Sequence, residues 1–369
     1  MPAKPLTRMG ELFPTTSHPL IISAPTLKVS NGRLAAEVTK AGGLGFIQAG
    51  FQLGPDAPEL KRFDEQLTVA RTLLVNDPAT KDHLSPLPIG VGFLTYAKSA
   101  VHFPQSVVPI LVKHQPAVVW LFAPNPAVPN TIPDMIASVR AASTAAWQPK
   151  IAVQVGNVAA AREAVKQGAD IIVAQGSDAG GHLFAKGAGI VSLVPEIADM
   201  LRDEFADKDI ILWAAGGMAD GRGVAAALAL GAEAAALGTR YCVAKESDAA
   251  EFRRKALLST SDGGVNTIKS EVHDWIQGNM EWPAAYHGRA LLHPLLLEYE
   301  AGVPIDEIQR RFNAATDAGD VFKLVTWSGT GVGLVKEELP AAQITKSLRE
   351  EASKVIAGIK SNIVDDGFF

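Results

Sequence analysis

The 369-residue sequence predicts an α/β fold, a (β/α)8 barrel with an inserted, mainly helical cap domain. Three features predict it. Eight short runs of continuously apolar residues recur along the chain, and Ala-rich segments of helical period lie between most of them. After Leu258 this rhythm stops and a segment of different character begins.

The apolar runs are 20–24, 43–48, 89–94, 117–122, 151–155, 170–174, 210–214 and 234–237. A run that does not alternate with polar residues is buried on both faces, as a parallel sheet covered by helices requires. The helical stretches are 59–75, 132–146, 159–167, 194–205, 221–229 and 249–258. Strand–helix repetition gives either an open doubly wound sheet or a closed barrel, and eight units favour the TIM barrel. Gly168-Ala169-Asp170 and Gly231-Ala232-Glu233 each place a helix-ending Gly directly before a strand, as a tight αβ loop needs. Residues 1–258 and 321–369 are therefore assigned to the barrel and 259–320 to the cap. The cap carries Trp275, Trp282, Tyr286, His287 and His293. A Gly-rich stretch, Trp327 to Gly333, and a final amphipathic helix over 341–361 complete the chain.

Composition narrows the function. Hydrophobic residues make up 47% and charged residues 20%, which suits a globular protein with a sizeable core. The net charge of −5 and the lack of a basic tract argue against nucleic acid as a partner. No apolar run reaches the length of a membrane span. Met1 to Pro14 lacks the apolar core of a secretory signal, and Asp366 to Phe369 is not a peroxisomal tripeptide, so a cytoplasmic location is expected. The single cysteine, Cys242, allows no internal disulfide and reads as a packing residue. No His-Glu-x-x-His pattern or cysteine pair suggests a metal.

Barrels bind ligands at the carboxyl ends of their strands, and phosphates after strands seven and eight. The seventh strand here ends in Gly216-Gly217, where the absence of a Cβ lets backbone approach an anion. The eighth ends Ala236-Leu237-Gly238-Thr239, whose backbone N–H groups and Thr239 hydroxyl suit a phosphate at the start of the next helix. Gly42-Gly43-Leu44-Gly45 lies before or within a strand and does not open a helix, so a dinucleotide fingerprint is a weak reading. The sixth strand leads into Gly180-Gly181-His182, which puts a histidine able to act as a general base at the barrel mouth.

Ala41 to Gly45, Ala174 to His182, Ser192 to Pro195, Ala214 to Gly221, Leu237 to Arg240 and Trp327 to Leu334 together resemble the nitronate monooxygenases, also called 2-nitropropane dioxygenases. The resemblance spans nearly the whole chain. It implies an FMN-dependent oxidation of alkyl nitronates, and of nitroalkanes, by O2 to a carbonyl compound and nitrite. It makes His182 the catalytic base. It puts Gln175 and Gly180 in contact with FMN, and Ala24 and Pro25 against the flavin ring. It gives the phosphate to Gly216, Gly217, Ala236, Leu237, Gly238 and Thr239. Two departures stand out. Ala24-Pro25-Thr26 replaces a common Pro-Met pair, and Gly92 stands where many members carry Asn. The expected partners are a small nitronate or nitroalkane and O2, with a homodimer compatible with the sequence. The alternative is an NAD(P)H-dependent FMN reductase of the same fold acting on a quinone or enoyl thioester. A barrel enzyme for phosphorylated sugars or indoles, without flavin, is a third reading.

Overall fold

The computed structural model describes residues 8–364, with side chains through residue 359. The first seven residues and the tail from Asp366 to Phe369, read above for targeting signals, lie outside them. Nine strands run in order to residue 237. They are Leu20–Ser23 (β1), Phe46–Gln48 (β2), Leu87–Leu94 (β3), Pro116–Phe122 (β4), Lys150–Val155 (β5), Ile171–Gln175 (β6), Gly181–Phe184 (β7), Ile211–Ala215 (β8) and Ala234–Leu237 (β9). All but β7 form one parallel sheet in the order β1-β9-β8-β6-β5-β4-β3-β2. Its two ends meet at a single bridge between Ile22 and Leu44. There Leu44 N donates to Ile21 O at 2.9 Å and Ser23 N to Leu44 O at 3.2 Å, which nearly closes the ring into a barrel.

Side chains alternate between the two faces of each strand, yet both faces are buried. Leu20 and Ile22 point into the barrel while Ile21 packs under the surrounding helices. Val118 and Trp120 point in, Val119 and Leu121 out; Ile171 and Val173 point in, Ile172 and Ala174 out. This is why the strands read as unbroken apolar runs. Large aromatic rings fill the interior. Phe46 meets Trp120 edge-on at 5.2 Å, and Trp213 lies 6.1 Å from Trp120 and 6.2 Å from Phe13. Met9 and Phe13, on and just after the helix Arg8–Leu12, belong to the same cluster. Arg8 Nη1 bonds Glu233 Oε1 at 2.8 Å, beside the start of β9, so this helix caps the amino-terminal end of the barrel.

The predicted helices appear as Pro58–Val75, Thr131–Ala142, Val158–Lys166, Ile190–Glu204, Gly221–Ala229 and Glu251–Ser259. Others were not evident in the sequence, and two of them show why. Gly32–Lys40 begins at Asn31-Gly32, a pair that reads as a turn. Asn31 is in fact its N-cap, with Oδ1 accepting from Leu34 N at 2.8 Å. Gly32 is required there because a Cβ would stand 2.1 Å from Gln66 O. Val108–His114 is short, follows Pro104 closely and carries Pro109 in its first turn, which hides its period.

Residues 259–320 hold the helices Gly263–Asn266, Val272–Ile276, Pro294–Glu300 and Ile305–Ala318. They also hold two strands, Thr267–Ser270 (β10) and Tyr286–Leu291 (β11). β11 pairs antiparallel with both β10 and β7, so this segment is joined to the barrel mouth by backbone hydrogen bonds. Among the described residues no helix is long and apolar enough to cross a membrane.

Trp213 is wholly buried among Phe13, Phe46 and Trp120. Trp213→Ala is expected to cost about 3–5 kcal/mol, the usual range for emptying a large aromatic site. Urea unfolding measures it, and a loss below about 1 kcal/mol would show that the interior does not depend on this ring.

Candidate active site

A cavity of about 670 Å³ opens at the carboxyl ends of the barrel strands. Ala24 and Pro25 reach it after β1, Gln175 at the end of β6, and Gly180 and His182 around β7. Gly216 and Gly217 follow β8; Ala236 lies on β9 and Gly238 and Thr239 just beyond it. Leu237 differs from the rest. Its side chain packs in the outer shell under the helices, and its carbonyl accepts from Ala24 N at 3.0 Å.

The glycines serve different needs. Gly216 and Gly217 have φ of +102° and +75°, which other residues rarely adopt. A Cβ on Gly217 would also stand 2.8 Å from the Asp178 Cβ. Gly238 has φ −100°, and the one atom near its missing Cβ is Thr26 Oγ1 at 3.6 Å, so its bareness leaves cavity space open. The helix that follows, Thr239–Cys242, is a single turn. Any anion here therefore meets local backbone N–H groups and no long helix dipole. The Gly-rich carboxyl-terminal stretch braces these loops. Gly329 N donates to Thr239 Oγ1 at 3.0 Å and Thr330 N to Asp178 O at 3.0 Å. A Cβ on Gly331 would lie 2.3 Å from Gly217 O.

Pro25 lies directly over Gly92, where a Cβ would be 2.4 Å from the proline ring. The two departures noted in the sequence are thus one packing solution, since any side chain on β3 at this point would displace Pro25.

His182 sits on β7 with its Nε2 2.8 Å and 3.0 Å from the two oxygens of Asp274. Asp274, on the one-turn helix Val272–Ile276, is nearly fully buried. An ionised carboxylate only accepts, so Nε2 carries the proton and Nδ1 is left as the basic nitrogen of the neutral ring. Among the described residues Nδ1 has no hydrogen-bond partner. The Trp282 indole stacks on the imidazole at 3.6 Å and 7°, and Tyr96 stacks on Trp282 at 4.1 Å. Burial pushes the Tyr96 hydroxyl up to about 12, so it stays neutral at physiological pH. Gly288 lies opposite His182 on β11, and its bareness admits the Trp327 ring, which a Cβ would meet at 2.3 Å. Asp274, Trp282 and Tyr96 were not found by sequence reasoning. Asp274 lies 92 residues from His182, and no local pattern links them.

The sequence model of the nitronate monooxygenase family matches residues 132–351. A nitronate monooxygenase of Neurospora crassa is 46% identical over 96% of this chain and 95% of its own length. A nitronate monooxygenase of Metarhizium robertsii is 33% identical over 96% of this chain and 97% of its own. The chain belongs to the nitronate monooxygenase family. As a member it is an oxidoreductase enzyme. Solved structures of FabK from Thermotoga maritima and of a nitroalkane oxidase from Streptomyces ansochromogenes superpose with TM-scores of 0.70 each. Both are 24% identical, and 96% of this chain aligns with 99% and 100% of theirs. At that identity they support the barrel fold.

In this family member two cavity-lining amides are incomplete. Gln175 Nε2 donates to His182 O at 3.0 Å, but its Oε1 is buried without a partner, as is Gln48 Oε1. Leaving such acceptors unmet is costly, so the wall offers two atoms suited to a ligand with N–H or O–H groups.

Behind Asp274, His273 Nδ1 lies 3.2 Å from His293 Nε2, both rings buried. Burial pushes His293 down to about 4 and also lowers His273.

Two predictions follow from this geometry. Gly217→Ala should lower stability by about 1–2 kcal/mol through its positive φ, whereas Gly238→Ala should stay within about 0.5 kcal/mol of wild type. Denaturant midpoints compare them, and equal losses would contradict the open space at Gly238. The histidine pair sets an acid limit. Between pH 6.5 and 4 the unfolded chain binds protons that the folded chain refuses, so stability falls as pH falls through that window. Melting temperatures across it should drop, and His293→Asn should flatten the slope; an unchanged slope would exclude His293 as its source.

Proposed function

We propose that the chain oxidises alkyl nitronates with FMN and O2, giving a carbonyl compound and nitrite, and that His182 first deprotonates neutral nitroalkanes. The observation that carries this reading is His182 itself. Its Nε2 is held by buried Asp274 and its Nδ1 is unpartnered, on the same cavity as the glycine loops.

The residues present fit FMN. Gly216 and Gly217, with Ala236, Gly238, Thr239 and the backbone of Leu237, would hold its phosphate, where bare backbone allows close approach. The unpaired oxygens of Gln175 and Gln48 suit the N–H edge of a flavin ring. Gly180 would border the ring, and Ala24 and Pro25, seated on Gly92, would give it a flat apolar face. When bound, FMN supplies the redox chemistry that joins substrate oxidation to O2.

The chain's own residues do the rest. Nδ1 of His182 takes the proton from the carbon bearing the nitro group, and the electron pair of that C–H bond passes to the nitro group, giving the nitronate. The imidazolium that forms is stabilised by the Asp274 carboxylate, in a site where low solvent access strengthens the pair. Trp282 covers one face of the ring, fixes its plane and keeps water from it.

His182→Asn tests this role. Turnover of a neutral nitroalkane should fall about 10²–10⁴-fold, the usual contribution of a general base. Turnover of a pre-formed nitronate should fall much less, because no such proton remains, and the flavin content of the purified protein should match wild type. Equal losses on both substrates would assign His182 to substrate binding. A colourless protein that cannot be reconstituted with FMN would refute the whole reading.

A further inference from the structure

One partly buried charged group on the cavity wall is left without a partner. Arg253, on the helix Glu251–Ser259, lines the cavity together with Gly238, Thr239 and Cys242. Its Nε is buried with no hydrogen-bond partner, and among the described residues its guanidinium meets no carboxylate. The neighbouring charges are already matched. Arg254 lies 3.5 Å from Glu338 and bonds Ala249 O at 2.7 Å, and Arg62 bonds Asp248 at 2.7 Å. Asp274 is taken by His182. Among the described residues its one ring contact is with adjacent Phe252, at 5.1 Å.

A guanidinium half removed from water and left unpaired is unfavourable. Burial lowers its proton affinity, and the electrostatic neighbour it does have is the Cys242 thiol. That thiol is itself pushed up to about 12 by burial, so it stays neutral and offers no counter-charge at neutral pH. Cys242 ends the single turn that starts at Thr239, directly after Gly238. The unpaired cation and the bare backbone of the β9 loop therefore border the same end of the cavity. A guanidinium offers paired donors matched to phosphate oxygens, and a phosphate would relieve both its charge and its buried N–H.

We propose that Arg253 is an anion-binding residue that supplies the counter-charge for the cofactor phosphate and completes the loops after β8 and β9. This rests on the FMN reading above. It predicts that the protein separates FMN from riboflavin, which has the same ring without the phosphate, through this one side chain.

The full-length wild type, Arg253→Gln and Arg253→Lys are titrated with FMN and, separately, with riboflavin, following flavin fluorescence. Wild type should favour FMN. Arg253→Gln should lose about ten- to a hundredfold in FMN affinity, the worth of one charge-assisted contact, while its riboflavin affinity stays within about twofold. Arg253→Lys, which keeps the charge but not the planar fork, should recover part of the loss. FMN binding by wild type should weaken with added salt more steeply than that by Arg253→Gln. Unchanged FMN affinity in Arg253→Gln, or equal losses for both flavins, overturns the proposal while leaving the FMN reading intact. Wild type that binds neither flavin overturns the FMN reading, and this proposal with it. Melting curves of all three proteins separate lost affinity from lost folding.

Discussion

The barrel must fill its own interior, and it does so with unusually large rings. A parallel ring of eight strands turns half of its side chains inward, where water cannot satisfy a void and small residues cannot close one. Here Phe46, Trp120 and Trp213 interlock at 5.2–6.3 Å, and Phe13 closes them from the amino-terminal side. On β9 the inward residues, Ala234 and Ala236, are small. The rings pack the lower part of the barrel, and the open upper part becomes the cavity. Trp120 belongs to both, lining the cavity while its Nε1 donates to Gln154 Oε1 at 3.0 Å. The position of the floor is thus a packing outcome, and the depth of the site follows from it.

The chemistry on that floor depends on a second, smaller assembly. β7 is a short strand that leaves the barrel after β6 and pairs with β11. That pairing brings the helix carrying Asp274 to the edge of the cavity and places Gly288 opposite His182, where Trp327 can enter. The carboxyl-terminal stretch then folds over Gly180 and Gly217 so closely that a Cβ on Gly180 would stand 2.3 Å from Gly329 N and one on Gly331 2.3 Å from Gly217 O. A histidine on a free loop would wander; this one is held by a ladder of backbone hydrogen bonds, a buried carboxylate and a stacked indole, as the base proposed for it requires.

Much of this was legible along the chain. The barrel strands were placed within three residues at each end because double-sided burial writes itself as unbroken apolar runs. The glycine pair after the seventh barrel strand, the Gly-Thr after the eighth and the histidine after the sixth were readable because each is a local motif at a topologically meaningful place. The helix at Gly32–Lys40 was not, because Asn31-Gly32 has the same composition as a turn and is distinguished only by the close approach of Gln66. The two strands within residues 259–320 were hidden for a related reason. β11 gains its strand character from pairing with β7, about a hundred residues earlier in the chain.

The sequence by itself determined the barrel, the family resemblance, the glycine loops and the candidate base, since each depends on a residue and its near neighbours. Tertiary structure alone decided that Asp274 holds His182, that Pro25 rests on Gly92, that Trp282 covers the imidazole, and that Arg253 faces the cavity without a counter-ion. The physical reason is the same in every case. Propensity and hydrophobic period act over a few residues, whereas a buried charge or a filled contact is defined by whatever the fold brings beside it, however far away in the chain.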